Sequence, residues 1–272
     1  MKILNGSEIA GFIKERQAHQ VRSLRQAHGI FPKLAIVVTV KNPVIETYMR
    51  LKQHYGEDIL VDVEVHRIDQ AAIAETLNML SNDEAVHGII IQLPLENPSE
   101  TDKIVRMVPP EKDVDALGSD ANFEPATPMA IMWLLAGYNV DLAGKRVLLI
   151  GHGKLVGIPL EKLLKETGVD VHVADRQTTD LAGEVAQADV IITATGSPAV
   201  LTADMIKQDA VVVDAGVASE EGRTVGDLAE DVYGRDDLTL TPKKGGVGPL
   251  TVCALFENVI RAASAAAKQK ET

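Results

Sequence analysis

Arg146-Val-Leu-Leu-Ile-Gly-His-Gly-Lys-Leu-Val-Gly-Ile-Pro159 is the stretch that decides the fold. An apolar run behind a basic residue reads as a buried strand, and it leads through Gly151, Gly153 and Gly157 into an amphipathic helix. Glycines at such a turn let the backbone approach a pyrophosphate. Free N–H groups and the dipole at the helix N-terminus then hold it. The last glycine stands one residue further along than in the usual G-x-G-x-x-G, so the flanking strand and helix carry the reading. Because this loop lies past the middle of the 272-residue chain, a region large enough to be a separate domain precedes it.

Composition agrees with that layout. Hydrophobic residues make up 46% of the chain and aromatics only 3%, so aliphatic side chains must fill the core. That suits a parallel sheet covered by helices. A net charge of −12 argues against nucleic-acid or anionic-membrane binding. The single cysteine, Cys253, excludes an internal disulfide and a cysteine-cluster metal site. The N-terminus lacks an apolar signal core, and no apolar run reads as a bilayer span, so a soluble cytoplasmic protein is expected.

Outward from the loop, apolar runs and helical spacings alternate. Ser7 reads as the cap of a helix ending near Gly29. Strands are expected at 34–40, 59–68 and 86–93, with helices at 43–55 and 71–80 between them. This β-α-β-α-β order implies a parallel sheet with right-handed crossovers. Residues 107–128, rich in Pro, Asp and Gly, read as a linker, and 129–138 as a helix. Further strands are expected at 146–150, 169–174, 190–194 and 210–214, a short one at 238–240, and an Ala-rich terminal helix at 252–267. The fold expected is two α/β domains, the second a Rossmann-type doubly wound sheet spanning 126–251. The first takes 1–125 plus the terminal helix, 252–272.

Several residues carry candidate chemistry. Asp175 closes the strand after the glycine loop, where a carboxylate can bond ribose hydroxyls and repel a 2′-phosphate. Arg176 beside it suits that phosphate instead. The turns Thr195-Gly196-Ser-Pro198 and Asp214-Ala-Gly216-Val217 end later strands and should line the same sheet edge. Tyr48 and Lys52 share a helix face. Gln92 ends a buried strand, as a structural amide or a polar handle. Lys112-Asp-Val-Asp115 reads by itself as a turn whose aspartates cap local backbone. The loop Thr241-Pro-Lys-Lys-Gly-Gly-Val-Gly-Pro-Leu-Thr251, with Gly246 and Pro249 at its centre, is small enough for a ligand to press on its backbone. His87, at a strand start, reads as structural.

Together these segments resemble the methylenetetrahydrofolate dehydrogenase/cyclohydrolase family. The resemblance rests on Tyr48-Met-Arg-Leu-Lys52, Gly88-Ile-Ile-Ile-Gln-Leu-Pro-Leu95, Lys112-Asp-Val-Asp115, Thr127-Pro128, the glycine loop through Val156-Gly-Ile-Pro159, Gly226-Asp227 and Gly245-Gly-Val-Gly-Pro-Leu-Thr251. They occur in family order across nearly the whole chain. The resemblance implies a folate cleft between two domains, with the terminal helix returning to the first. It makes Lys52 the group that opens the methenyl ring, and Gln92 its partner. Tyr48 would stack on the aminobenzoyl ring, Asp115 would bind the pterin, and Gly246 and Pro249 would contact substrate. NAD(P) would lie against Gly151, His152, Gly153, Val156, Gly157, Asp175, Arg176, Thr195, Gly196, Gly216 and Thr251. A homodimer is expected.

The chain departs from the family pattern at Ile45 (usually Ser), Ala116 (usually Gly), Ala126 (usually Cys), Lys243-Lys244 (usually Val-Pro), Gly151-His-Gly153 (usually G-R-S) and Ala174-Asp-Arg176 (usually C-H-S). The loop between Asp115 and Pro125 is also shorter. Loss of side chains used around an NADP phosphate, with Asp175 present, favours NAD; His152, Lys154 and Arg176 keep NADP open. Three functional readings follow: a bifunctional dehydrogenase and cyclohydrolase, a dehydrogenase alone, or a non-catalytic binder of folate or nucleotide.

Overall fold

In a computed structural model, which describes residues 2–220 and 223–270, the first half of the chain runs β1 (Lys2–Ile3), α1 (Gly6–His28), β2 (Lys33–Val38), α2 (Pro43–Ile59), β3 (Asp62–Arg67), α3 (Ile73–Asn82), β4 (Gly88–Ile91) and α4 (Thr101–Val105). The second half continues with α5 (Ala126–Gly137), β5 (Val147–Ile150), α6 (Gly157–Glu166), β6 (Val171–Ala174), α7 (Leu181–Gln187), β7 (Val190–Thr193) and β8 (Val211–Asp214). It closes with the hairpin β9 (Ala218–Glu220) and β10 (Arg223–Val225), then β11 (Thr239–Leu240) and α8 (Val247–Lys270). The chain divides into two units. One comprises Met1–Ala10 with Thr127–Thr251, the other Gly11–Ala126 with Val252–Thr272.

In the unit built on Gly11–Ala126, three parallel strands lie in the order β3-β2-β4. Leu34, Ala35, Ile36 and Val37 of the central strand are fully buried, as a strand covered on both faces requires. On one side, Ala35, Val37, Ile89 and Ile91 pack with Ile73, Leu77 and Leu80 of α3. Helix α2 is started by Asn42, whose side chain accepts from the Val44 N–H, with Pro43 in the first turn. Its end is set by Leu60 in the left-handed region.

Helix α8 is fixed to this unit by polar contacts. The Gln17 amide donates to the Cys253 carbonyl at 2.8 Å, and Arg16 pairs with Glu257 at 2.7 Å. The Tyr55 hydroxyl donates to Gln17 Oε1 at 2.7 Å and lies 3.2 Å from Cys253 Sγ. Removing that hydroxyl orphans a buried acceptor. Tyr55→Phe is therefore expected to cost about 1–2 kcal/mol in urea unfolding, with the slope unchanged. An unaltered midpoint would show that the bond contributes nothing net.

The other unit carries a six-stranded parallel sheet ordered β1-β11-β8-β7-β5-β6. The order reverses between β5 and β7, the switch point at which doubly wound sheets take ligands beyond their carboxyl ends. Leu148, Ile150, Ile191, Val212 and Leu240 form one side of its core with Val185 of α7 and Leu201.

Four features differ from the expectations. Residues Met1–Ala10, assigned by sequence to the first domain, belong to the sheet unit because β1 extends the edge beside β11, pairing Lys2 with Thr239. The expected linker at 107–128 is folded: Asp113 bridges to Ile89, and Lys112 Nζ donates to the carbonyls of Leu80, Ser81 and Asp83. Helix α8 begins at Val247, ahead of the expected 252; residues 271–272 of the expected range lie outside the described residues. Finally, Val247–Lys268 is long and apolar enough to cross a membrane, a span not expected from the sequence pattern. Yet 61% of the window is buried within the protein, as befits a core helix rich in alanine.

Candidate active site

Lys52 lies on α2, one turn after the half-exposed Tyr48 (37% exposed). Its Nζ donates to Gln92 Oε1 at 2.9 Å. Gln92 is well placed to receive it. It follows the wholly buried β4, its backbone N–H donates to Val37 O at 2.9 Å, and its amide donates to the Leu93 carbonyl at 3.1 Å. Both Gln92 hydrogen-bonding functions are thereby oriented, and the oxygen is left facing the lysine. The following Leu93–Pro94 peptide is cis.

Protein surrounds Lys52 and Asp115 closely, yet each keeps part of its surface open. Burial pulls the Lys52 ammonium below the ordinary lysine range, and the charge on Asp115 partly restores it. Burial likewise pushes Asp115 up, with Lys52 opposing. An amine with a depressed pKa, a fixed amide oxygen and a carboxyl group form a set able to bind a polar heterocycle and exchange its protons.

The two aspartates of Lys112-Asp-Val-Asp115 have separate tasks. Asp113 is nearly inaccessible and accepts from the Leu117 and Gly118 N–H groups at 3.3 and 2.7 Å. This is the local capping role read from sequence for such a pair. Asp115 alone interacts with Lys52. The turn between them and the next loop places Ala116 at φ 54°. That is the left-handed region where a side chain costs about 1–2 kcal/mol, and it explains why glycine suits this position. Ile45 is 4% exposed, so that departure from the family pattern is a core substitution.

Asn258 was missed by sequence reasoning. Fully buried in α8, it donates to the carbonyls of Val114 and Glu124 at 2.9 and 2.8 Å, fixing the segment that carries Asp115. An asparagine among the apolar residues of a terminal helix was the available signal.

In the sheet unit the glycine loop forms at the switch point. Gly151 has φ 102°, and a Cβ there would lie 2.6 Å from Ala194 O, just past β7. A Cβ on Gly157 would lie 2.1 Å from Gly151 O, so α6 starts in contact with the loop. Its first turn follows Val156, whose carbonyl accepts from the Leu160 N–H at 2.9 Å. Gly153 has no such neighbour within 4 Å: its missing side chain leaves the loop open. This arrangement could hold a dinucleotide: Gly151 and Gly157 are required by close backbone approaches within the protein, and Gly153 leaves open backbone beside the N-terminus of α6.

The remaining dinucleotide candidates are distributed as follows. His152 Nε2 lies 2.6 Å from Glu161 Oε2, which ties its ring to α6. Asp175 and Arg176 are exposed after β6, and Asp175 Oδ1 accepts from the Gln177 N–H at 2.8 Å. Thr195 and Gly196 follow β7, and Gly216 follows β8. Gly246 is buried, Pro249 half-buried, and Thr251 Oγ1 lies 3.4 Å from Val247 O within α8. In that last loop the protein itself makes the close approach, since a Cβ on Gly6 would lie 1.9 Å from Gly246 O.

Sequence reasoning also passed over a carboxylate pair, the buried Asp227 beside the half-buried Asp214. Asp214 accepts from the N–H groups of Gly216, Asp227 and Leu228, and Asp227 from those of Thr195 and Ser197. Burial raises the Asp214 pKa. Gly226-Asp227 was noted only as a matching dipeptide.

A Rossmann-type unit with an open glycine loop, and an α/β unit bearing a half-buried lysine–amide–carboxyl set, define an NAD(P)-binding enzyme. The chain matches the catalytic domain of tetrahydrofolate dehydrogenase/cyclohydrolase over residues 4–115, and the NAD(P)-binding domain of the same family over 125–267. The bifunctional protein FolD of a Nitratiruptor species is 34% identical over 97% of this chain and 98% of its own. The crystal structure of bifunctional FolD from Campylobacter jejuni superposes with a TM-score of 0.91 at 33% identity, covering 97% of this chain and 99% of that one. The Trypanosoma brucei methylenetetrahydrofolate dehydrogenase-cyclohydrolase, complexed with NADP and inhibitor, gives 0.90 at 29% identity, covering 97% of each chain. The chain belongs to the tetrahydrofolate dehydrogenase/cyclohydrolase family.

Proposed function

We propose that this protein oxidises methylenetetrahydrofolate to the methenyl form with NAD(P), then hydrolyses that product to formyltetrahydrofolate, with Lys52, Gln92 and Asp115 as the catalytic set. The observation that carries this reading is the 2.9 Å contact between Lys52 Nζ and Gln92 Oε1, made by a lysine whose ammonium is disfavoured by burial.

Bound NAD(P) supplies the hydride acceptor. The protein's part in that step is to seat both reactants, since orientation alone supports such transfers. In hydrolysis, water adds to the electron-poor methenyl carbon. Lys52, as the neutral amine, takes the first proton released by the water and returns it to the ring nitrogen as its bond to carbon breaks, while the remaining hydroxyl proton leaves to solvent as the formyl C=O forms. Gln92 Oε1 holds the lysine in place through both states. Asp115 accepts from the pterin's amino and ring N–H groups. Tyr48 offers its ring face to the aminobenzoyl group.

The dinucleotide rests on Gly151, Gly153, Val156, Gly157, Thr195, Gly196, Gly216 and Thr251. NAD is the preferred form. The exposed Asp175 carboxylate suits ribose hydroxyls, and His152 is tied to Glu161, which leaves Lys154 and Arg176 as the attractions for a 2′-phosphate. Two copies assemble as a homodimer, a reading supported by the open edges that β3 and β6 present in their sheets. One absorbance assay tests the chemistry. Methylenetetrahydrofolate is supplied with NAD, then with NADP, and the methenyl product is followed as it forms and decays. Formation without decay above the buffer rate would leave a dehydrogenase alone, and no formation with either cofactor would refute the proposal.

Asp115→Asn gives a directional test of the lysine. The negative charge of Asp115 favours the ammonium of Lys52, so its removal lowers the lysine pKa further. If the neutral amine is the working form, the alkaline-rising limb of hydrolysis moves to lower pH. Loss of the charged acceptor raises the folate KM roughly 10- to 100-fold. A limb that stays put or moves to higher pH would show that Asp115 does not act on Lys52 in turnover.

A further inference from the structure

The pair Asp214–Asp227 is costly for the fold. The two carboxylates sit side by side: Asp227 is fully inaccessible, Asp214 is half-buried, and that burial raises the Asp214 pKa. Burying like charges opposes folding unless donors surround them. The donors here are backbone N–H groups of loops at the carboxyl edge of the sheet. Asp227 Oδ2 accepts from Thr195 N at 2.7 Å and Oδ1 from Ser197 N at 3.1 Å. Asp214 accepts from Gly216 N at 2.9 Å and Asp227 N at 3.0–3.1 Å.

The chain makes room for this pair at two glycines. A Cβ on Gly216 would lie 2.0 Å from Asp227 Oδ1, and one on Gly226 the same distance from Asp214 Oδ2. The loop that Asp227 fixes adjoins the cofactor loop, because a Cβ on Gly151 would meet Ala194 O at 2.6 Å and Thr195 N at 3.1 Å. From this geometry we infer that Asp227, carried by Asp214, is the positioning residue for the dinucleotide. It holds the turns after β7 and β8 in the shape that receives NAD(P), without itself touching the cofactor. The inference rests on the NAD(P) reading above.

Asp227→Asn tests it. The asparagine keeps the shape and one acceptor oxygen, but presents an NH2 group to an N–H donor. Dinucleotide affinity is measured by titration calorimetry without folate, and methenyltetrahydrofolate hydrolysis is assayed on the same preparation. The expected result is a dinucleotide Kd raised at least tenfold and a matching rise in the NAD(P) KM. The dehydrogenase kcat and the hydrolysis rate should stay within about threefold of wild type. Gly226→Ala, which displaces the Asp214 carboxylate, should repeat the pattern and serves if Asp227→Asn does not fold. An unchanged Kd, or hydrolysis falling in step with dinucleotide affinity, would overturn the inference while leaving the enzyme's function intact. Wild-type protein that takes up neither NAD nor NADP would overturn the NAD(P) reading together with it.

Discussion

Lys52→Met is expected to turn the protein into a source of methenyltetrahydrofolate. Hydrolysis should fall by about 10²- to 10⁴-fold, the range attributed to a positioned acid–base group, while measurable oxidation with NAD(P) remains. Methionine fills much of the same volume, so Tyr48 on the same helix keeps its place. The substitution also removes a cation that burial disfavours, so the variant should not be less stable near neutral pH.

The sign can be checked by pH. A lysine whose folded pKa lies below its unfolded value of 10.5 weakens the fold below that depressed pKa. Stability recovers as pH rises from the folded pKa towards the unfolded one. The wild type should show this recovery in thermal melts and Lys52→Met should not. Two undiminished activities in the variant would remove Lys52 from the mechanism, leaving the 2.9 Å contact with Gln92 as a structural bond.

How far such a site is legible in sequence depends on how local its cause is. β2 and β5 are continuous apolar runs because both faces are covered, and each was visible as such. The glycine loop was visible because its glycines fall close together between a strand and a helix, with Gly157 pressed on the backbone of Gly151 just before it. Lys52 and Tyr48 were legible as neighbours on a helix face. The distinction between Asp113 and Asp115 was not, since two aspartates in one turn look alike until the fold buries one against Gly118 and turns the other towards Lys52.

Longer-range causes left weaker traces. Strand β1 has two residues, too few for any period, and its partner β11 lies at the far end of the chain. The segment at 107–128 has the composition of a linker. Its order comes from bonds to β4, the end of α3 and Asn258, none of which a local pattern records. Gly226-Asp227 was conspicuous as a dipeptide, but its meaning depends on Asp214 lying within hydrogen-bond reach.

Gly157→Ala and Gly153→Ala should separate the two reasons a glycine can occupy a cofactor loop. At Gly157 the added carbon would lie 2.1 Å from Gly151 O and 2.7 Å from His152 Cα, both backbone atoms that cannot rotate aside. Helix α6 must then shift away from the loop. Both stability and dinucleotide binding should suffer, with a loss of about 1–3 kcal/mol on the scale of overpacked cores and dehydrogenase activity down by a hundredfold or more. At Gly153 nothing lies within 4 Å, so alanine meets no protein atom. The smaller entropy of its unfolded chain should leave the melting temperature level or slightly raised. If a pyrophosphate rests on that open backbone, Gly153→Ala should still weaken NAD(P) binding, because the methyl group stands where the phosphate must approach. Melting curves beside dinucleotide titrations decide the matter. A Gly153→Ala protein that binds as tightly as wild type would place the phosphates elsewhere on the sheet edge, and a Gly157→Ala protein of normal stability would mean the loop and α6 are free to part.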